Sequence, residues 1–410
     1  MAPAWTTESV AECLTPVPAA GKTKLQARDY KLAGRFPVVD QGQERIAGWT
    51  DDETAVIKEP LPLIVFGDHT RAFKFIDEPF ARGADGTQLL KPKPGIDPLF
   101  FFYACKAIDL PARGYNRHFT ILKEQALSYP GEAEQKAIGS VLRRIDSALE
   151  HESALSGNLQ ALKQAAMREL FARGLRGEPQ KETEIGAVSE SWEVTTFSQV
   201  REWLQYGTSI HCTLEPRRFP VLRIPNIEPG RVNASDLKYC DLTEEDANKY
   251  LLENGDLLFI RTNGVLERLG SCAVYEGVPR NSLFASYLIR ARLKSGIDPR
   301  YVAYFYASQR GTSLVAGRAT PAADGKYNLN TGTIDSLPLP LPPTLEEQRD
   351  IVAALDAVDR KIDLHQRKRA VLEDLNKALL HKLMAGEIAV DELDLSALDR
   401  AAVTAEEATV

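Results

Sequence analysis

Two stretches of the chain repeat apolar residues at alternating steps of four and three. In the later one Ile351, Leu355, Val358 and Ile362 open the stripe. Leu372, Leu375, Leu379 and Leu383 resume it after a polar gap at His365 and Arg369. This spacing puts the apolar residues on one helical face and predicts the seam of a coiled coil. Pro343 and the capping box Thr344-x-x-Glu347 start the helix. No proline interrupts it, and Gly386 follows the last periodic residue, where helices commonly end.

The earlier stretch, Pro130 to Phe171, has the same pattern. A gapless shift of 213 positions lays Pro130 on Pro343, Glu134 on Glu347, Gln135 on Gln348 and Asp146 on Asp359. Ile138, Leu142, Ile145 and Leu149 fall on Ile351, Leu355, Val358 and Ile362; Leu159, Leu162, Met167 and Leu170 fall on Leu372, Leu375, Leu380 and Leu383. Unrelated amphipathic helices share periodicity. A shared proline, Glu-Gln pair and register together mark an internal duplication. Gly157 interrupts the first stripe, at a cost of about 1 kcal/mol relative to alanine.

Between the helices the pattern shortens. In residues 1–129 the apolar runs RFPVVD, LPLIVFGD, AFKFID and LFFFYAC are broken by turn signals, which predicts strands and loops. Asp97-Pro98-Leu99 starts one helix there, reaching Lys106. Residues 191–342 repeat this style in RFPVLRIPNI, NGDLLFIRTNG, GSCAVYEG and SYLIRARLK, and Asp298-Pro299-Arg300 opens the helix YVAYFYASQR. Trp5 and Trp192 begin the two segments. Their offset is 187 against 213 for the helices, so the second segment is longer by 26 residues. The expected organisation is α+β. A mixed α/β unit (1–129) precedes a long helix (130–178) and a polar linker (179–190). A second unit (191–342) precedes a second helix (343–388) and an acidic tail (389–410). The run Leu337-Pro-Leu-Pro-Leu-Pro-Pro343 reads as an extended connector.

Charge and cysteine usage narrow the class. The net charge is −7, but Glu387 to Val410 carries seven acids against Arg400 alone, so the body is near neutral and the tail reads as solvated. Such a body permits DNA binding through local basic surfaces without arguing for it. Five scattered cysteines at no metal-ligand spacing are expected as buried thiols in a reducing cytoplasm. No apolar run suggests a membrane span, and the opening residues do not read as a secretory signal.

Enzyme signatures are not found. Gly317 and Gly325-Lys326 do not make a phosphate-binding loop. No Asp-Pro-Pro-Tyr or Asn-Pro-Pro-Tyr sequence marks an amino-methyltransferase. Asp52, Glu53 and Lys58 have the wrong spacing for a nuclease. Asp68-His69 reads first as a turn or polar contact. Six histidines lack zinc spacing. What remains is binding chemistry. The first segment offers His69, Thr70 and Arg71, then Arg113, Tyr115, Asn116 and Arg117. The second offers Arg217 and Arg218, Arg261 and Asn263, then Lys326, Tyr327 and Asn328. Arginine and lysine neutralise phosphates, and Arg to guanine and Asn to adenine are the main base-edge pairings. Taken alone, such loops read more readily as solvated surface than as a DNA contact.

Segment plus long helix, twice over, resembles the specificity subunits of Type I restriction–modification systems. The residues that carry the resemblance are Leu337-Pro338-Leu339-Pro340, Pro343 with Leu345-Glu346-Glu347-Gln348, the Ile351/Leu355/Ile362 helix, Leu383-Met384 with Gly386-Glu387, and the earlier copy from Pro130. The resemblance implies two target-recognition domains, each reading half of a split double-stranded DNA site. It implies a spacer of two antiparallel helices with a pseudo-twofold axis. It also implies a chain that performs no catalysis and holds no cofactor. Two methyltransferase subunits would bring S-adenosylmethionine, and restriction subunits ATP and magnesium. A helix of about 40 residues spans roughly 60 Å, or roughly 17 base pairs, so the target is expected to contain an unread gap. The competing readings are a coiled-coil adaptor that binds no DNA and, less well supported, a self-contained nuclease or methyltransferase.

Overall fold

The computed structural model describes residues 5–18, 23–83, 86–111, 117–322 and 324–396. Its contacts divide the chain into Met1–Ala154 with Gln366–Val410, and Leu155–His365. Both long helices form, over Glu132–Arg173 and Leu345–Met384. The division therefore cuts each helix near its middle instead of at a helix end.

In the first unit the strand Thr6–Ser9 pairs antiparallel with Ala126–Tyr129, joining the start of the segment to the residues just before the first long helix. Between them lie a four-stranded sheet, ordered Gly48–Thr50, Phe36–Val39, Phe80–Arg82, Val56–Ile57, and a three-stranded sheet, Phe73–Ile76, Leu63–Gly67, Thr87–Leu90. LFFFYAC is helical: Pro98–Ala107 forms a helix buried at Phe100 through Cys105. Its strand-like composition is overridden by an Asp97 carboxylate that accepts N–H from Leu99 and Phe100, a cap worth about 1 kcal/mol. This helix meets Ile138, Leu142, Ile145, Leu379 and Leu383 in one core.

The second unit repeats the closure. Glu193–Thr196 pairs antiparallel with Pro338–Leu341, so the proline-rich run is an edge strand and not a free connector. Prolines are tolerated there because the strand has a single partner. The central sheet runs Arg201–Tyr206, Leu288–Leu293, Leu257–Ile260, Cys272–Val274, Gly230–Val232, Ile227–Glu228. YVAYFYASQR is two helices, Pro299–Ala307 and Gln309–Ala316, because Ser308 adopts an extended conformation and caps the second through Gly311 N–H. The stretch expected as a linker holds a short ladder, Gln180–Lys181 with Val188–Ser189, and Ile185 and Val188 join the core.

The same polar joint fixes segment to helix in each unit. Gln135 Oε1 accepts Asp97 N–H at 2.8 Å, and its amide donates to Gly95 O at 3.1 Å. Gln348 does the same to Asp298 N–H at 2.8 Å and Gly296 O at 3.3 Å. Tyr103 donates to Asp146 at 2.8 Å, as Tyr304 does to Asp359 at 2.7 Å. Trp5 meets Phe100, and Trp192 meets Tyr301, edge-on with ring centroids 6.4 Å apart in both. Each long helix ends on a left-handed glycine beside one of these indoles. A Cβ on Gly174 (φ +59°) would lie 3.0 Å from Trp192, and one on Gly386 (φ +66°) 3.4 Å from Trp5.

Three helix expectations change. The capping box is half made: Thr344 Oγ1 accepts Glu347 N–H at 3.2 Å, but the Glu347 carboxylate accepts the Trp192 indole N–H at 3.1 Å. A fully buried indole needs an acceptor, and Glu347 is the one supplied. Leu162 and Leu375 are 55% and 38% exposed and do not extend the buried stripe. Near the helix middles polar pairs take over, Lys163 with Asp359 in one unit and Asn376 with Asp146 and Lys368 with Glu152 in the other. Finally, the described part of the acidic tail is not wholly solvated. Ile388, Val390, Leu393 and Leu395 pack against the first unit's core.

Candidate nucleic-acid interface

In the second unit the strand Leu257–Ile260 delivers Arg261 to its end. The Arg261 N–H donates to Tyr287 O at 3.1 Å, and its carbonyl accepts Leu329 N–H at 2.7 Å, so its backbone is clamped from both sides. Thr262–Asn263 then pairs with Tyr327–Asn328, which also pairs with Thr320–Pro321. Two loops far apart in sequence thus become one three-stranded sheet. It gathers Arg261, Asn263, Lys326, Tyr327 and Asn328, five of the residues singled out for DNA contact.

The state of each side chain differs. Lys326 Nζ lies 2.8 Å from the Asp324 carboxylate, and that hydrogen bond holds the ammonium pKa above its usual value. Asn263 Oδ1 accepts Val265 N–H at 2.9 Å, which commits the oxygen to the turn. The Arg261 guanidinium lies over the Tyr206 ring, 4.7 Å from its centroid, and Nη1 donates to Ser286 O at 3.4 Å. Among the described residues no carboxylate lies within ion-pairing distance of Arg261. Tyr206 in turn accepts Thr331 N–H at 3.2 Å. Tyr206 and Tyr287 are 38% and 59% exposed.

Arg217 and Arg218 flank a different sheet, whose central strand is Phe219–Leu222. Arg217 pairs with Glu215 at 2.9 Å and Asp241 at 3.9 Å, and Arg218 pairs with Glu244. The structure does not bring them into the Arg261 sheet.

In the first unit Asp68, His69, Thr70 and Arg71 form the turn after Leu63–Gly67. Asp68 is buried; its carboxylate accepts Phe119 N–H at 2.7 Å and its carbonyl accepts His118 N–H at 3.1 Å. That is a structural contact, not a catalytic pair. The Thr70 hydroxyl donates to Gln41 O. Arg71 sits in left-handed backbone at φ +61° and donates from Nη1 to Leu110 O at 2.6 Å. Arg117 is exposed. Arg113, Tyr115 and Asn116 lie outside the described residues. Sequence reasoning missed Tyr206 and Tyr287. Their signal was an aromatic at a strand end beside Gly207 and Ser286; the run SYLIRARLK was read only as strand-like, and Arg201–Tyr206 was not singled out.

No group of three or more metal-ligating side chains occurs among the described residues. Nor is any described helix long and apolar enough to cross a membrane.

Residues 189–374 match the model of the Type I restriction modification DNA specificity domain. A putative Type I restriction enzyme MjaX specificity subunit of Methanocaldococcus jannaschii is 31% identical over 205 residues, half of this chain and 48% of that protein. The Type I restriction enzyme EcoKI specificity subunit of Escherichia coli is 26% identical over 63% of this chain and 57% of its own length. The chain thus spans about half the length of these relatives. A third specificity subunit, MjaVIII of M. jannaschii, is 22% identical over 91% of both chains. The crystal structure of the Type I restriction–modification S subunit from M. genitalium shares the fold, with a TM-score of 0.62, 17% identity, and coverage of 93% of this chain and 99% of that one. The matched specificity domain contains the Arg261 sheet and both arginines of the neighbouring sheet.

Proposed function

We propose that this chain is the DNA-recognition subunit of a Type I restriction–modification complex, each unit reading one half of a bipartite double-stranded target. The observation that carries the reading is the duplicated joint. Two segments with different surfaces are fixed to two equivalent helices by the same Gln, Asp, Tyr and Trp contacts. A duplicated mount with diverged surfaces suits a molecule that must present two different readers in a fixed relation.

The long helices are the spacer in this reading, packed as an antiparallel coiled coil with a pseudo-twofold axis. Within the first unit Asp146 meets Asn376 and Glu152 meets Lys368; within the second, Lys163 meets Asp359. In the first unit numbers rise along one helix as they fall along the other, as antiparallel pairing requires. The chain performs no catalysis itself and holds no cofactor. It acts in the cytoplasm with two methyltransferase subunits that carry S-adenosylmethionine, joined by restriction subunits that use ATP and magnesium. The exposed helix residues Leu162 and Leu375 suit methyltransferase docking.

Co-expression with the cognate methyltransferase subunit, followed by genome-wide mapping of N6-methyladenine, tests the proposal. A bipartite motif with a fixed gap, lost when this chain is omitted, is the expected result. A stable complex with no new motif supports the adaptor reading instead. Removing one heptad from both helices takes out about 10 Å and should shorten the gap; an unchanged gap refutes the ruler.

A further inference from the structure

The cations gathered or proposed for DNA contact are not equivalent. Arg217, Arg218 and Lys326 each carry a carboxylate within ion-pairing distance. Such exposed pairs exchange readily for phosphate and fix no direction in the side chain. Arg261 is held otherwise. Its main chain is clamped between Tyr287 and Leu329, its guanidinium rests on the Tyr206 ring, and one nitrogen is tied to a carbonyl. A stacked guanidinium keeps its full charge and loses little freedom on binding, because the ring has already fixed its plane. An arginine so held is suited to a bidentate contact, which needs two N–H vectors in one plane.

Resting on the DNA-recognition reading above, we infer that Arg261 reads a guanine edge in the major groove of the second unit's half-site, and that Tyr206 is the positioning residue that sets the plane of its fork. Guanine is the base with two acceptors, N7 and O6, spaced for that fork. The ring does the positioning. The Tyr206 hydroxyl, which accepts Thr331 N–H on an exposed surface, can be replaced there by water.

The test uses the full chain with its methyltransferase subunit, mapping N6-methyladenine for wild type, Arg261→Lys, Tyr206→Leu and Tyr206→Phe. Arg261→Lys keeps the charge and removes the fork. It is expected to relax one guanine position of one half-site, with roughly ten- to hundredfold lost discrimination, while the other half-site and the gap stay fixed. Tyr206→Leu should relax the same position, and Tyr206→Phe should retain it. The inference is overturned if Arg261→Lys lowers methylation of all sites without changing the motif, which marks a phosphate contact. It is also overturned if Tyr206→Leu leaves the guanine preference intact or if Tyr206→Phe loses it. Should Tyr206→Leu fail to assemble, the Arg261→Lys and Tyr206→Phe results still decide. A wild-type complex that yields no bipartite motif overturns the DNA-recognition reading itself, before any variant is compared.

Discussion

The two units use one set of joints and two different surfaces. Gln135 and Gln348 tie helix to segment with the same pair of main-chain bonds, and Tyr103 and Tyr304 each reach a helix carboxylate. Away from the joints the likeness stops. The second unit adds the helix Gln309–Ala316 and the sheet that carries Arg261 and Lys326. The offset between Asp97 and Asp298 is 201, so 14 of the 26 extra residues precede the Asp-Pro helix and 12 follow it. The second group falls where the helix Gln309–Ala316 and two of the three strands of the Arg261 sheet lie. Divergence after duplication thus concentrated where a surface could change without moving the joint.

The comparison is sharpest at the tryptophans. Trp192 is fully buried and donates to a buried Glu347, whereas Trp5 is only partly buried. Trp192→Ala should destabilise the second unit by about 3–5 kcal/mol and leave the Glu347 carboxylate short of a donor. Trp5→Ala should cost the first unit clearly less. Amide hydrogen exchange, read unit by unit, checks this, since one melting temperature does not describe two units. Equal losses would mean that burial at the two sites is equivalent after all.

Gln348→Ala deletes two side-chain bonds to main chain, worth together about 1–3 kcal/mol, and Gln135→Ala deletes the matching pair and a third bond, to Pro130 O at 2.8 Å. The expected outcome is two losses, each confined to its own unit, with Gln135→Ala somewhat the larger; a loss at only one of the two sites would break the idea of one shared joint. Gly174→Ala and Gly386→Ala both force a left-handed side chain, at about 1 kcal/mol. Gly174→Ala should cost more, because its Cβ meets Trp192 at 3.0 Å while Gly386 has 3.4 Å to Trp5.

The smallest effect is alkaline. Burial, and then the carboxylates of Asp356 and Asp359, push the Tyr304 pKa far above its usual value; burial, then Asp146, does the same to Tyr103. A phenol whose folded pKa exceeds its unfolded value gives stability that is complete below about pH 10 and is lost as pH rises above it. Both folded values lie above the window from pH 8 to pH 11, so Tyr304→Phe and Tyr103→Phe should each flatten the alkaline loss of their own unit by a similar amount. Amide hydrogen exchange compared at pH 8 and pH 11, unit by unit, checks this.

The helices and their duplication were legible because a period, a proline and a Glu-Gln pair coincide. The helix through LFFFYAC was legible too, from its Asp97-Pro98 start, although its composition alone looks like a strand. Two features were not. The proline run looked unpaired because an edge strand needs a partner from 148 residues earlier, Glu193 opposite Leu341. At the candidate interface, Arg261 and Lys326 could be named from sequence but not joined. Their union depends on Thr262 meeting Asn328 across 66 residues, and no local signal records such a pairing.

The division of the chain also sets an order of completion during synthesis. The second unit is continuous, Leu155–His365, whereas the first needs Gln366–Val410 as well. Ile138 shares its core with Leu383, 245 positions later in the sequence. At about 5–20 residues per second, the earlier half of the chain waits roughly 10 to 50 seconds for its last buried leucine. A ribosome that stops near residue 365 would therefore release a finished second unit and an unfinished first one, so the N-terminal unit is the one exposed to proteases by a C-terminal truncation.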